Sequence, residues 1–333
     1  MTRITVFGAG AMGTAFAIHL ARAGKDTKLW ASPYDEKVVG PLRDERRHPA
    51  LPEHLPESLE VLGPDDLRHA GDGMDVAVMG AHSGGARNLA QLVKKGCDEI
   101  PLVVGVAKGL EPETAKRMSE VFVEEVGHAQ VVSVGGPCLA GEVAEGLPTA
   151  AVFASADVAT AENAASSFRS RSLHVAVSDD VLGVEYCTVA KNVAAIGMGI
   201  VDGLGKGSGR GYENAKSALF TKAFHEMTEL VSSLGGRRET VLGLAGIGDT
   251  LVTSLGGRNR LFGEMIGQGV EAKSALEDMN NRGMTVEGWD SARDIGTVTK
   301  QAAVQLPYFE QVHSILFDSA PPESIFESLH TVA

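Results

Sequence analysis

The sequence is poor in cysteine and in basic charge, and it has no long unbroken apolar run. Its three cysteines, Cys97, Cys138 and Cys187, are odd in number and show no C-x-x-C spacing. That excludes a disulfide framework and a zinc site and fits a reducing compartment. The histidines and carboxylates form no metal-ligating constellation either. Lys and Arg number 30 against 43 Asp and Glu, for a net charge of −13. Such a balance argues against nucleic acid as a partner, because phosphate contacts need clustered Lys and Arg; any anionic ligand must be held by a local array. No stretch approaches the roughly 18 apolar residues of a membrane span. Met1 leads directly into a short β-like segment with no signal peptide, so a cytoplasmic address is expected.

What the chain does have is apolar mass. With 44% hydrophobic and 22% charged residues and a mean hydropathy of +0.01, disorder and low-complexity classes are excluded. A length of 333 residues suits two domains of about 100–200 residues each. In the first half, Ile4–Phe7, Thr27–Trp30, Val76–Met79, Leu102–Val106 and Val131–Val134 read as buried strands, apolar nearly throughout as parallel strands covered on both faces are. Ala150–Ala154 and His174–Val177 extend the set. Thr14–Arg22, Ala86–Lys95 and Asn163–Phe168 show helical periodicity, with Gly24 and Gly96 as expected left-handed stops. From about Asp179 the strand signal ends, and Leu182–Val201, Asn214–Leu234, Arg260–Ile266, Glu287–Ala303 and Tyr308–Leu316 read as helices. The expected fold is an α/β Rossmann-type doubly wound sheet followed by an all-α substrate domain. The boundary falls near 178–181, giving a dinucleotide-binding domain over 1–180 and a helical substrate-binding and catalytic domain over 181–333.

The motif Gly8-Ala9-Gly10-Ala11-Met12-Gly13 is a G-x-G-x-x-G directly after a strand and at the opening of a helix. Gly8 permits the tight turn, Gly10 lets the backbone approach a pyrophosphate, and Gly13 lets helix and strand pack closely. The helix start at Ala11, Met12 and Gly13 supplies N–H donors. A dinucleotide, NAD or NADP, is expected there. An NAD-selective site places an acid at the end of the second strand, but here that strand ends Leu29-Trp30-Ala31-Ser32. Trp30 and Ser32 are taken as cofactor contacts, Asp35 and Glu36 come slightly late, and no Arg sits beside Ser32, so NAD against NADP stays open.

Three further clusters combine anion-binding and titratable groups. Lys108-Gly109-Leu110-Glu111 follows the fifth strand, at the edge where open α/β sheets bind ligands. Lys191-Asn192 interrupts an otherwise apolar helix, where a cation and an amide are costly unless they line a site; a plainer reading makes Lys191 a surface lysine. Gly246-Ile247-Gly248-Asp249 leads to Thr253 and to Gly256-Gly257-Arg258-Asn259-Arg260, a glycine pair before Arg-Asn at a helix start and a plausible phosphate seat. The plainer alternative is a helix cap with solvated arginines. Desolvation of Lys191 in an apolar helix would lower its pKa towards acid/base use. His48, His54, His69, His128 and His330 read as solvated, His82 as a loop residue after a Rossmann strand, and Cys138 as a small buried residue.

On these residues, with Gly136-Pro137, Glu142-Val143-Ala144, Pro148-Thr149-Ala150, Asp202-Gly203-Leu204-Gly205 and Val286-Glu287-Gly288, the chain resembles the NAD(P)-dependent glycerol-3-phosphate dehydrogenase family over nearly its whole length. The resemblance implies interconversion of sn-glycerol 3-phosphate and dihydroxyacetone phosphate by hydride transfer with NAD(P), feeding phospholipid synthesis. It implies that Lys108 and Lys191 lie at the reacting carbon, that Asp249 and Thr253 complete the site beside Asn192, and that Arg258 and Asn259 hold the phosphate. Lys108 and Glu287 would also lie near the cofactor. A small phosphorylated substrate and a homodimer are the expected partners, with no membrane span. Three departures stand out: Met79-Gly80-Ala81-His82-Ser83 in place of a proline-containing motif, Gly135-Gly136-Pro137-Cys138, and Lys206–Glu213 as a lengthened glycine-rich loop. That loop motivates an alternative, the same chemistry on a larger phosphorylated polyol or sugar. A non-catalytic dinucleotide-binding redox sensor is a second alternative, and the presence of Lys191 and Asp249 counts against it.

Overall fold

The computed structural model describes residues 2–127 and 130–331, and the chain forms two compact units, Met1–Val181 and Leu182–Ala333. In the first, strands β1 (Arg3–Phe7), β2 (Asp26–Trp30), β3 (Glu60–Leu62), β4 (Val76–Met79), β5 (Leu102–Gly105), β6 (Gln130–Gly135), β7 (Thr149–Ala154) and β8 (Leu173–Ser178) form one sheet. Its order is β3-β2-β1-β4-β5-β6-β7-β8. Among the described residues seven α-helices accompany it: α1 (Ala11–Arg22), α2 (Glu36–Asp44), α3 (Leu67–Gly71), α4 (Ser83–Gly96), α5 (Met118–Val126), α6 (Ala140–Glu145) and α7 (Val158–Phe168). Every residue of β4 and β5 is buried, as strands covered on both faces require. One core packs Phe16, Phe153 and Phe168 edge to face; the other holds Phe7, Trp30, Leu89, Val93 and Phe122.

The Rossmann-type sheet expected from the sequence is present, with differences. Strand β3 has three residues of which one is buried, too short to leave an apolar run. Strand β7 runs antiparallel to β6 while β8 is parallel to β7; apolar patterning reports burial and is blind to strand direction. Gly24 does follow α1 in the left-handed region at φ +75°. Gly96 instead remains within α4, where a Cβ would lie 2.3 Å from Leu67 Cγ: its role is close approach, and it is no left-handed stop.

The second unit is helical: α8 (Val181–Ser208), α9 (Glu213–Ser233), α10 (Arg238–Val241), α11 (Asp249–Leu255), α12 (Arg258–Gly267), α13 (Ala272–Asn281), α14 (Glu287–Ala302) and α15 (Pro307–Phe317), with a π-helical turn over Leu244–Gly248 and a 3-10 segment over Pro322–Thr331. Helix α8 is long and apolar enough to cross a membrane by length and composition, yet 94% of its most apolar window is buried inside the protein. Because α8 continues to Ser208 and α9 begins at Glu213, half of the expected 206–213 loop is helix and residues 209–212 connect the two.

Helices α8 and α12 meet main chain to main chain. A Cβ at Gly199 would lie 2.0 Å from Arg260 O, at Gly203 2.2 Å from Glu264 O, at Gly263 2.1 Å from Ile196 O, and at Gly267 2.1 Å from Ile200 O. Two G-x-x-x-G pairs therefore interlock, and only hydrogen fits at the crossing. Elsewhere Glu226, 1% exposed, accepts the N–H groups of Tyr308 (2.9 and 3.0 Å) and Phe309 (3.2 Å) at the start of α15. The Tyr308 hydroxyl in turn donates to Ala194 O on α8 at 2.9 Å.

Gly263→Ala should destabilise the protein by about 3 kcal/mol through forced separation of α8 and α12; chemical denaturation measures it, and an unchanged midpoint would remove the close-contact account. A second expectation concerns pH. Burial raises the Glu226 carboxyl to about 7, against the Tyr308 and Phe309 N–H groups and Lys222, which lower it. The unfolded group titrates near ~4.3, so the folded state binds this proton more tightly. Its stabilising contribution is complete below the unfolded value and is lost as pH rises through 7, on the order of 3 kcal/mol in all. Denaturation at pH 5 and pH 8 should show a loss in wild type that is smaller in Glu226→Gln.

Candidate functional site

In the first unit the site begins where β1 ends. Gly8, at φ +97°, receives its fixed place from a bond between its N–H and Trp30 O at 2.9 Å. A Cβ on Gly8 would lie 3.2 Å from the Gly80 carbonyl, and one on Gly13 would lie 2.5 Å from Gly8 O. The glycine loop is thus packed against the end of β4, at the point between β1 and β4 where the sheet order reverses and where such sheets bind ligands. Helix α1 starts with no side-chain cap and no acid in its first turn. The N–H groups of Ala11, Met12 and Gly13 therefore suit a pyrophosphate, and these residues fit a dinucleotide. Gly80 donates its N–H to Phe7 O at 2.7 Å, a bond that proline cannot make.

Three side chains around this loop differ from expectation. The Trp30 indole is 1% exposed and lies in the core with Phe7, so it is the Trp30 carbonyl that serves the loop. Ser32 donates to Asp35 Oδ2 through its N (2.8 Å) and its Oγ (2.6 Å), and Ala9 N donates to the same oxygen at 3.1 Å. Asp35, late for a ribose, braces the glycine loop. His48 is 5% exposed, in contrast to the solvated residue expected, and its Nδ1 accepts from Ala50 N at 3.1 Å. Burial lowers its pKa, opposed by the Ala9 main chain and by Asp35. A lone histidine beside proline carries no periodic signal that could have placed it. His54, His69, His82 and His330 are exposed, while His128 lies outside the described residues; Cys97, Cys138 and Cys187 are buried and unbonded to one another.

Lys108 follows β5, and its Nζ donates to Gly136 O, just past β6, at 3.0 Å. It therefore stands over the carboxyl ends of two parallel strands.

In the second unit Lys191 and Asn192, 6% and 1% exposed, project from α8 among apolar neighbours, so the surface-lysine reading fails. Lys191 Nζ donates to Asp249 Oδ1 at 3.0 Å and to Thr253 Oγ1 at 3.1 Å. Thr253 Oγ1 donates to Asp249 O at 2.7 Å, so its lone pairs face the ammonium. The π-helical turn that delivers Asp249 depends on Gly246, where a Cβ would lie 1.9 Å from Val241 O.

Beside this cluster runs an amide chain. Gly288 N donates to Asn259 Oδ1 at 3.0 Å, which turns the Asn259 amide so that its Nδ2 donates to Asn192 Oδ1 at 2.9 Å. Asn192 Nδ2 is left buried with no protein partner, and such a donor calls for an acceptor from a ligand. Asn259, expected on the phosphate, spends both ends of its amide inside the protein. Arg258 begins α12 behind Gly257, at φ +97°. It is half-exposed and lies 3.7 Å from Glu287. Arg260 is bound by Asp202 and Glu264. The connection between α8 and α9 is residues 209–212, shorter than the 206–213 loop expected.

The comparisons with known proteins agree with this geometry. The N-terminal model of NAD-dependent glycerol-3-phosphate dehydrogenase matches residues 3–161, and the C-terminal model matches residues 180–327. The glycerol-3-phosphate dehydrogenase [NAD(P)+] 1 of Salinibacter ruber (strain DSM 13855 / M31) is 39% identical, covering 99% of this chain and 96% of its own length. A Thermoanaerobacter sp. (strain X514) relative with the name glycerol-3-phosphate dehydrogenase [NAD(P)+] is 36% identical over 99% of this chain and 97% of its own. The crystal structure of glycerol-3-phosphate dehydrogenase from Coxiella burnetii superposes with a TM-score of 0.89 at 32% identity, covering 99% of both chains. A ketopantoate reductase from Ralstonia eutropha JMP134, at TM-score 0.61 and 17% identity, shares the fold alone. The chain belongs to the NAD-dependent glycerol-3-phosphate dehydrogenase family.

Proposed function

We propose that this chain is an oxidoreductase that interconverts sn-glycerol 3-phosphate and dihydroxyacetone phosphate with NAD or NADP. The observation that carries the reading is the buried Lys191–Asp249–Thr253 cluster next to the unpartnered Asn192 Nδ2. A cation and an amide donor side by side suit an oxygen that gains negative charge and a polar group fixed near it. The bound nicotinamide supplies hydride transfer. Gly8, Gly10, Ala11, Met12 and Gly13 hold the pyrophosphate, with Trp30 and Ser32 shaping the loop's border and Glu287 assigned to the cofactor. Lys191 holds the proton exchanged with the substrate oxygen at its Nζ, and Asp249 and Thr253 keep that ammonium aimed. Lys108 stabilises the developing alkoxide charge. Asn192 donates to the substrate, Arg258 supplies a planar fork for the phosphate, and Asn259 keeps Asn192 oriented. The enzyme acts in the cytoplasm as a homodimer. A substrate screen with both reduced cofactors, followed by nicotinamide absorbance, tests the reading; no turnover of dihydroxyacetone phosphate with either would overturn it.

Lys191→Ala should lower kcat by about 10²–10⁴-fold, the range of general acid–base catalysis, with dinucleotide affinity by fluorescence titration little changed. A variant with near-wild-type kcat would make Lys191 a structural residue. Arg258→Lys keeps the charge and loses the fork, so KM for the phosphorylated substrate should rise about tenfold or more, as the loss of a charge-assisted bond implies. Unphosphorylated dihydroxyacetone should react poorly and about equally with both proteins. Equal losses on the two substrates would place the phosphate seat elsewhere.

A further inference from the structure

The turn that carries Lys108 is folded back on itself. Glu111 N donates to Lys116 O at 2.8 Å and Ala115 N to Glu111 O at 3.0 Å, and Leu110 bridges Arg117. Three of its residues lie in the left-handed region, Gly109 at φ +127°, Glu113 at +71° and Ala115 at +54°. Two of these carry side chains, a conformation that persists only where the surroundings over-determine it.

The surroundings that do so converge on one carboxylate. Glu111 Oε1 accepts from Arg87 Nε at 2.5 Å, and Oε2 accepts from Arg87 Nη2 at 2.9 Å and from Thr114 Oγ1 within the turn. Glu111 is 8% exposed, so this is a sheltered, two-pronged pair of the kind that outweighs an ordinary surface bridge. Arg87 belongs to α4, and α4 also meets the turn through its first residues, since a Cβ on Gly84 would lie 3.6 Å from Pro112 Cγ. The guanidinium further binds Glu124 at 2.9 Å and Glu125, both on α5. Without it, Glu111, Glu124 and Glu125 would face one another with Lys116, bound to Glu124, as the remaining cation. Repulsion would then drive Glu111 outward, three residues from Lys108.

We propose that Arg87 is a positioning residue for Lys108: by gripping Glu111 it fixes the turn over residues 108–117 and so the reach of the Lys108 ammonium. The proposal rests on the reading of Lys108 as a group acting on the substrate oxygen. Arg87 itself touches no ligand in this scheme. Its effect is geometric, and a displacement of about 1 Å at a reacting group costs up to about 10²-fold in rate.

The test is a double-mutant cycle of Arg87→Ala and Lys108→Ala in the full-length enzyme, with dihydroxyacetone phosphate and reduced cofactor. Arg87→Ala should lower kcat about tenfold to 10²-fold and speed hydrogen exchange at residues 109–117. The Kd for the dinucleotide alone and exchange in α1 should not change. Added to Lys108→Ala, it should cost almost nothing further. Should Arg87→Ala fold poorly, Glu111→Gln breaks the same grip with little change of shape and should reproduce the loss and the non-additivity. Full kcat in Arg87→Ala, or an equal factor lost in the presence and absence of Lys108, overturns the proposal while leaving the role of Lys108 intact. Full kcat in Lys108→Ala overturns the reading of Lys108, and the proposal falls with it.

Discussion

Two helices without Cβ atoms at their crossing hold the second unit's chemistry in register. Because Gly199, Gly203, Gly263 and Gly267 let α8 and α12 touch through their backbones, the first turn of α12 reaches the middle of α8. There Asn259 can donate to Asn192 at 2.9 Å, a distance that tolerates little further separation. Gly288 repeats the device on α14: a Cβ there would lie 2.9 Å from Asn259 Oδ1 and 3.1 Å from Asn192 O. Backbone proximity comes first, the amide chain follows from it, and the unpartnered Asn192 donor is the chain's last member. Lys191 shares this rigid stretch of α8, so its ammonium inherits the same constraint.

The first unit solves a similar problem with side chains. A loop that offers N–H groups to an anion must keep its own peptide groups from wandering. Asp35 takes the Ala9 N–H and both donors of Ser32 on one oxygen, and His48, made less basic by burial, packs by the same peptide. An acid shortly after the second strand is here a brace for the loop, which explains why its spacing did not match that of a ribose ligand.

Sequence made the chemistry more legible than the topology. Gly8, Gly10 and Gly13 stand out because each need is local: a turn, an approach, a helix start. Lys191 was visible because a cation among Val and Ala has few explanations, and its partner Asp249 only because the family resemblance paired two segments 58 residues apart. The direction of β7 and the existence of β3 depend on neighbours distant in sequence and leave no periodic trace. The glycines of Lys206–Glu213 suggest a loop although Lys206–Ser208 continue α8, while the four-residue spacing of Gly199–Gly203 and Gly263–Gly267 does signal close helix packing. Arg87 carries no signal in the sequence, since nothing local tells that Glu111 will face it.

Ion pairing in this acidic chain separates fixed cations from exchangeable ones. Lys191 and Asp249 are 7% and 2% exposed in their side chains, and removing either partner would strand a buried charge at a cost of about 3–5 kcal/mol. Their pairing is therefore structural, and it holds the Lys191 ammonium against Asp249 and Thr253. Arg258 and Glu287, at 3.7 Å with the arginine half-exposed, form a contact worth at most about 1 kcal/mol. The arginine can therefore leave Glu287 at small cost, and on the proposed function a dianionic phosphate would offer it a shorter, two-pronged partner. On the proposed function, a protein of net charge −13 would thus keep the cation assigned to proton exchange locked and the cation assigned to the phosphate loosely guarded, which is the division that binding and chemistry demand of the two.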